Sequence, residues 1–249
     1  MPFKILETDN YIFHYLEGSL AEKDILIIAQ EQEKAFCQIC NFLKMRPSFK
    51  IKYYLYDSAD EVGKIYGDNE PCNGFANPDD KSVCAVYNED VKCIGPHEDA
   101  HVLSFSMNDN FPRSEFLIEG FAMFFDEMWW SIENNLWVKY YIYKGRYISI
   151  KELLKDDKFY SIDCSITYPI GGSFTNYLIN NFGLEKYLTL FSSKDSNIKD
   201  TIKTIYEISL EEIEQKFLNY LDSLILSNEL STKMTKLINK YSQSRLLNK

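Results

Sequence analysis

The pattern of residues changes near Gly95, and this change restricts the folds that the sequence can form. Before it, short alternating segments typical of β-strands are mixed with helical segments. After it, nearly every segment has the apolar spacing that is typical of helices. The sequence therefore predicts an α+β protein, with a small mixed α/β N-terminal lobe at 1–94 and a mainly α-helical C-terminal lobe at 95–249.

Alternation and turn residues predict the elements of the N-terminal lobe. The predicted strands lie at 3–7, 11–16, 50–56 and 83–87, and the predicted helices at 20–44 and 59–67. Thr8-Asp9-Asn10 separates the first two strands and suggests a hairpin. Asp57 or Ser58 is expected to cap the short helix, which Gly67 ends. The segment DNEPCNGFANPDDKS at 68–82 is predicted to be a loop.

The C-terminal lobe is predicted from helical periodicity alone. The predicted helices lie at 96–107, 113–131, 168–181, 184–191, 197–206, 209–227 and 229–243. No internal repeat and no low-complexity segment is found in the sequence. The boundary between two lobes, such as the one predicted near Gly95, is a common place for a ligand site.

Charge and cysteine content exclude several classes of partner. The formal net charge of -10 would be repelled by a nucleic-acid backbone or an anionic membrane. The N-terminus lacks the features of a secretory signal, and no stretch approaches the ~20 apolar residues of a membrane span. The sequence thus predicts a cytoplasmic protein whose six cysteines are free thiols. Cys37-x-x-Cys40 is expected to pack within its helix, because a structural zinc site would need a second such pair.

The segment His97-Glu98-Asp99-Ala100-His101 matches the metal-binding pattern HExxH. Gly95-Pro96 precedes it, and proline is favoured at the first position of a helix. Residues four apart on a helix share a face, so His97 and His101 can hold one zinc ion together. Glu98 lies on a neighbouring face, within reach of a water on the metal but outside the ligand set.

A third protein ligand for the metal is expected downstream of HEDAH, because a catalytic zinc ion usually has three protein ligands and one open position. Glu119 lies in the apolar segment FLIEGFAMFF. A carboxylate in such a helix is costly unless it is paired or binds a metal. An exposed glutamate on a narrow polar stripe is the alternative interpretation.

The segment HEDAH followed by IEGFA, with eighteen positions from His101 to Glu119, resembles the HExxH…E arrangement of gluzincin metallopeptidases. The stretch YPIGGSFTNYLINNFG, which begins at Tyr168, is similar to the segment that follows in peptidase MA-like proteins. The resemblance covers 83–191 and is weaker elsewhere. It implies zinc held by His97, His101 and Glu119.

The same resemblance implies a zincin-like fold with the active-site cleft between the two lobes, which together form one catalytic unit. It also implies an edge strand that holds an extended substrate, a role for which Val83 to Tyr87 is the candidate. An ordinary internal strand is the alternative for that segment. Tyr168 is the implied donor to the oxyanion that develops during the reaction.

The expected function is zinc-dependent hydrolysis of peptide bonds in a peptide or protein substrate. A zinc-bound water would be activated by Glu98, which takes the proton and passes it to the leaving amine. The chain departs from thermolysin-like gluzincins at Met123, where they have an aspartate that orients a histidine. Asp126 and Asp99 are the candidate substitutes.

Other interpretations rest on fewer residues. A di-iron bundle needs a second Glu-x-x-His copy, which the remaining histidine, His14, does not supply. A Cys–His hydrolase would use Cys84 or Cys93, on proximity alone. The aromatic residues at 129–130 and 140–147 suit a recognition surface or, more often, a core. A zinc-binding or partner-binding protein with little or no proteolytic activity is the main functional alternative.

Overall fold

The computed structural model describes residues 2–67, 70–107, 114–193 and 197–247. It has an α+β fold, as the sequence predicts. Its Cα positions divide it into two compact units, Met1–Asp109 and Asn110–Lys249. The zincin-like arrangement, with lobes at 1–94 and 95–249 around a cleft, stays a prediction.

A five-stranded sheet forms the centre of the first unit. Its strands are β1 (Phe3–Glu7), β2 (Tyr11–Leu16), β3 (Ile51–Tyr56), β4 (Gly74–Asn77) and β5 (Ser82–Val86). Their order in the sheet is β1-β2-β3-β5-β4, and the pairs β2–β3 and β3–β5 are parallel. The pairs β1–β2 and β4–β5 are antiparallel, so the predicted hairpin of the first two strands is confirmed.

The position of β5 corrects the prediction that Val83 to Tyr87 is an edge strand. β5 pairs with β3 on one side and with β4 on the other. All five of its residues are buried, as expected of a strand inside a sheet. The edge strand next to β5 is β4, which lies within the segment predicted to be a loop, and β1 forms the other edge of the sheet. Positions 68–69 of that segment lie outside the described residues.

Three helices complete the first unit: α1 (Leu20–Leu43), α2 (Ala59–Tyr66) and α3 (Pro96–Phe105). Ser58, one of the two predicted caps of α2, accepts a hydrogen bond from the backbone N–H of Asp60. Gly67 ends this helix with a positive φ of 106°, a conformation that glycine adopts readily. α3 contacts α1 and β4. The helix that carries HEDAH is thereby held within the first unit.

The second unit is helical apart from one short hairpin. Its elements are α4 (Glu115–Asp126), β6 (Met128–Trp129), β7 (Ile132–Glu133), α5 (Asn134–Tyr143), α6 (Ile150–Leu153), α7 (Asp156–Phe159), α8 (Cys164–Phe182), α9 (Leu184–Phe191), α10 (Ile198–Tyr206), α11 (Leu210–Asp222) and α12 (Asn228–Leu247). A core of aromatic residues, including Trp137, Tyr140 and Tyr141, holds α5 in place. The core interpretation of these aromatic side chains is therefore correct for the buried ones.

The helix predicted at 113–131 ends earlier than expected. Its first position, 113, lies outside the described residues. Glu127 ends α4 with a positive φ of 58°, and Trp130 and Ser131 form the turn of the β6–β7 hairpin at 49° and 59°. Positive φ at non-glycine residues is uncommon, and nothing in the local sequence predicts it.

The crossing of α4 and α8 depends on two glycines. A Cβ added to Gly120 would lie 2.9 Å from the backbone oxygen of Gly171 and 2.9 Å from Thr175 Oγ1. A Cβ on Gly171 would lie 3.0 Å from Gly120 Cα. The two backbones therefore meet directly, one residue after Glu119.

None of the helices that the structure describes has both the length and the apolar character needed to cross a bilayer.

Candidate metal centre

Helix α3 places the two histidines of HEDAH on one face. The helix begins at Pro96, directly after Gly95, whose φ is 125°. The ring centroids of His97 and His101 lie 5.0 Å apart at an interplanar angle of 81°. Both side chains are half-buried. One turn of helix thus brings two imidazoles together, as the four-residue spacing predicts.

Asp99 points to the opposite side of α3, into the core of the first unit. The residue has no exposed surface, and its Oδ2 accepts hydrogen bonds from Tyr11 Oη and Gln32 Nε2. Burial raises the pKa of the Asp99 carboxyl well above its usual range, although the Tyr11 hydrogen bond opposes this. Asp99 therefore anchors the helix, and its described partners include neither ligand histidine. It does not replace the missing histidine-orienting aspartate.

Gln32 joins α1 to the start of α3. Its Oε1 accepts a hydrogen bond from the Gly95 backbone N–H at 2.6 Å, and its Nε2 donates to the Gly95 carbonyl at 3.1 Å. Gln32 is fully buried. These bonds fix the turn that precedes His97, so the orientation of both histidines depends on a residue far away in sequence. The sequence gives no sign of this role.

Glu98 lies beside the edge strand. Its Oε1 is 3.3 Å from the position that a Cβ on Gly74 would occupy, and Cys93 Sγ is 2.7 Å from the same position. A side chain at Gly74 would therefore displace one of these groups.

The structure weighs against a Cys–His hydrolase that uses Cys84. Burial raises the pKa of the Cys84 thiol to about 12, which makes it a poor nucleophile at neutral pH.

Helix α4 supplies the carboxylate. Glu119 is 8% exposed and lies between the buried residues of this apolar helix. Tyr160 Oη donates to Glu115 Oε2 at 2.9 Å and lies 3.5 Å from Glu119 Oε1. The exposed-stripe alternative for Glu119 is wrong, because its side chain is buried. Tyr160 was not predicted as a site residue, since eighteen tyrosines make composition uninformative.

One ligand atom from each of His97, His101 and Glu119 lies within 4.8 Å of the other two. Two imidazole nitrogens and a carboxylate oxygen form a donor set that divalent transition metals bind. This group could bind a metal ion. In the described ranges it is the one group of three or more His, Cys, Asp or Glu side chains whose ligand atoms lie this close together.

The other predicted residues lie as follows. The ring of Tyr168 stacks on Phe159 at 5.9 Å and meets Trp129 edge-on at 5.8 Å. Its role as an oxyanion donor stays a prediction. His14 stacks on Tyr54 at 4.4 Å, which agrees with a packed strand residue. All six cysteines lie in the described ranges, and no disulfide joins any of them.

A comparison with protein-family models finds none that matches the chain, and a search of curated proteins finds no significant match.

Proposed function

We propose that this protein is a zinc-dependent peptidase in which His97, His101 and Glu119 hold the ion. The observation that carries the proposal is the 4.8 Å clustering of one ligand atom from each of these residues. The donor set fits zinc, because two histidines and a glutamate are the protein ligands of known catalytic zinc sites, which leave a fourth position for water. When bound, zinc polarises a substrate carbonyl and lowers the pKa of water.

Glu98 is the proposed general base. It follows His97 directly, and its half-buried carboxylate lies beside Gly74 of the edge strand. A carboxylate there accepts the proton of the attacking water and then delivers it to the amine of the departing product. Both transfers need the group to be close to the scissile bond and outside the ligand set, which its place on α3 supports.

The edge strand β4 is the proposed binding element for the substrate backbone. It pairs with β5 on one side, and no described strand pairs with its other side. An extended peptide can add to such an edge through main-chain hydrogen bonds. Because Gly74 begins β4 and lies next to Glu98, a peptide on this edge would pass the general base.

Tyr160 is the proposed support of the Glu119 carboxylate. Its hydroxyl lies within hydrogen-bond distance of Glu115 and Glu119, which are one helical turn apart. Groups that hydrogen-bond to a metal ligand fix its orientation and tune its affinity. The peptide or protein substrate and the cytoplasmic location are parts of the same proposal.

Glu98→Gln tests the proposal. Glutamine keeps the size of the side chain but cannot accept a proton, so we expect zinc content and melting temperature to be unchanged. Cleavage should fall by ~10²–10⁴-fold on a peptide that the wild type cuts in a chelator-sensitive manner. A near wild-type rate in the variant would refute Glu98 as the base. A wild type that binds zinc but cleaves nothing across a broad peptide library would favour a zinc-binding or partner-binding protein.

A further inference from the structure

The main-chain groups of β4 alternate between those that face β5 and those that face the open edge. The Asn73 carbonyl, just before the strand, accepts a hydrogen bond from the Val86 N–H at 2.8 Å. Because bonded and outward-facing residues alternate in an antiparallel pair, Phe75 also faces β5, whereas Gly74 and Ala76 face the open edge. No described backbone group outside the sheet bonds to Gly74 or Ala76. An extended peptide would therefore pair with these two residues.

The segment that leads into β4 is fixed to helix α2. The Cys72 N–H donates to the Ala59 carbonyl at 3.0 Å, and a Cβ on Gly63 would lie only 1.8 Å from the Glu70 backbone oxygen. Cys72 Sγ also donates to the Gly74 carbonyl at 3.2 Å, and a thiol is a weak donor that a peptide N–H can replace. The last turn of α2 and the start of β4 are thus held beside each other.

The two faces of β4 have different neighbours. The position of a Cβ on Gly74 lies 3.3 Å from Glu98 Oε1, so this face is the one that meets α3. Side chains alternate along a strand, so Phe75 points to the opposite face. There the centroid of its ring lies 5.1 Å from that of Tyr66 on α2, at an interplanar angle of 62°. The strand thus separates the proposed general base from an aromatic pair.

The apolar surface around this aromatic pair is open to solvent. Tyr66 is 58% exposed, and Ile65, which precedes it in the last turn of α2, is 49% exposed. Phe75 is half-buried. Apolar side chains that are exposed together beside a strand edge form a surface that a bound peptide would cover.

We infer that Phe75 and Tyr66 form a subsite for one large apolar side chain of the substrate, either aromatic or long aliphatic. In a peptide added to the β4 edge, the residue opposite Phe75 directs its side chain to the same face as Phe75. That side chain packs on the Phe75 and Tyr66 rings. The neighbouring peptide residue, opposite Gly74, faces Glu98, so the apolar residue lies close to the cleaved bond. The inference rests on the proposed function and defines its substrate class.

Digestion of a peptide library with blocked termini by the full-length zinc-loaded protein tests the subsite. Mass spectrometry of the products should show Phe, Tyr, Leu, Ile or Met enriched at one fixed position near the cut. In a single cleaved sequence, replacement of that residue by alanine should lower kcat/KM by about tenfold or more. Cleavage with no apolar preference at any position would overturn the subsite and leave the peptidase proposal standing.

Tyr66→Lys tests whether the preference comes from this surface. The side chain is exposed at the C-terminal end of α2, where a cation is favoured, so the fold should be retained. The preferred residue at that position should change from apolar to acidic, whereas a merely structural role would lower the cleavage of all peptides alike. Tyr143→Lys is the matched control, because Tyr143 is the last residue of α5 and is 67% exposed. An unchanged preference in Tyr66→Lys would overturn the assignment.

Peptide capture decides the matter if the wild type cleaves nothing, an outcome that refutes the peptidase proposal alone. The same library is then incubated with the wild type and with Tyr66→Lys, and bound peptides are recovered by gel filtration and identified by mass spectrometry. Enrichment of large apolar residues on the wild type, lost in Tyr66→Lys, supports the subsite. Bound peptides without that enrichment, or no bound peptides, would overturn it.

Discussion

Tyr11 Oη donates a hydrogen bond to Asp99 Oδ2, so a strand near the start of the chain is bonded to the buried side of the helix that carries His97 and His101. Both partners are fully buried. Burial also raises the pKa of the Tyr11 hydroxyl well above its usual range, which keeps it a donor. The two imidazoles are therefore oriented by a hydrogen bond on the opposite face of their helix.

Tyr11→Phe should lower the free energy of unfolding by ~1–3 kcal/mol, because Asp99 loses a donor in a buried place. Chemical denaturation followed by circular dichroism measures the change. Tyr15→Phe on the same strand is the matched control, since the Tyr15 hydroxyl has no hydrogen bond to any described residue. A similar loss in both variants would mean that the Asp99 hydrogen bond contributes nothing specific.

Glu33 should make stability depend on pH. Burial raises the pKa of its carboxyl, but hydrogen bonds from Thr8 and Asn10 outweigh this and hold the pKa below its usual range. The folded state thus binds fewer protons, so this stabilisation is present at neutral pH and is lost as pH falls through the folded pKa.

Glu33→Gln should therefore cost about 1 kcal/mol of unfolding free energy at pH 7, and the difference from wild type should shrink below about pH 4. Urea denaturation at several pH values measures it. Glu31→Gln, an exposed change on the same helix, should show no such trend. A loss at pH 7 that persisted unchanged at pH 3 would refute the hydrogen-bonded carboxylate as its cause.

Glu119→Gln should lose zinc while the protein stays folded. The amide is a far weaker ligand than a carboxylate, and two histidines alone form an incomplete site. Glu115→Gln is the matched control, because it lies one turn earlier on α4 and shares the hydroxyl of Tyr160. Zinc per chain is measured by mass spectrometry. Equal zinc content in the two variants would remove Glu119 from the ligand set.

Tyr160→Phe should weaken zinc binding by about tenfold with little change in stability, since Tyr160 is 61% exposed. Competition with a chelator measures the affinity. Tyr143→Phe is the control, because Tyr143 is 67% exposed and its hydroxyl has no hydrogen bond to a described residue. If both variants bind zinc like the wild type, Tyr160 does not support Glu119.

Local signals in the sequence predicted the first unit well. The strand alternation, the Ser58 cap and the glycine at 67 each act within a few residues, so the sequence reveals them. The edge strand β4 was missed, because Asn, Gly, Pro and Asp dominate its surroundings and predict a loop. Its strand conformation comes from pairing with β5, a tertiary effect.

Helix α8 shows a second limit of local reasoning. Helical periodicity predicted its start at Tyr168. The helix begins at Cys164 instead and contains Pro169 in its interior. Proline cannot donate to the carbonyl of Ser165, and Tyr141 Oη donates to that carbonyl at 2.6 Å. A side chain from α5 thus replaces the missing backbone donor.

The candidate metal ligands could be predicted because HExxH depends on helical spacing, which is local. The residues that position these ligands could not be predicted. Gln32 and Tyr11 approach α3 from other elements, and Tyr160 approaches α4 from the end of α7. These partners are determined by tertiary contacts, and tertiary contacts leave no local pattern in a single sequence.

Where α4 crosses α8, the backbones of the two helices are in direct contact at Gly120 and Gly171. Where side chains pack on side chains, a neighbour can change rotamer to relieve part of an added volume, but this crossing has no rotamer to adjust. Natural variation in the protein should therefore be strictly limited at these two glycines. Since Glu119 directly precedes Gly120, any residue that pushed the two backbones apart would also displace the carboxylate of the candidate metal centre, so selection on the ligand would act on the glycines as well.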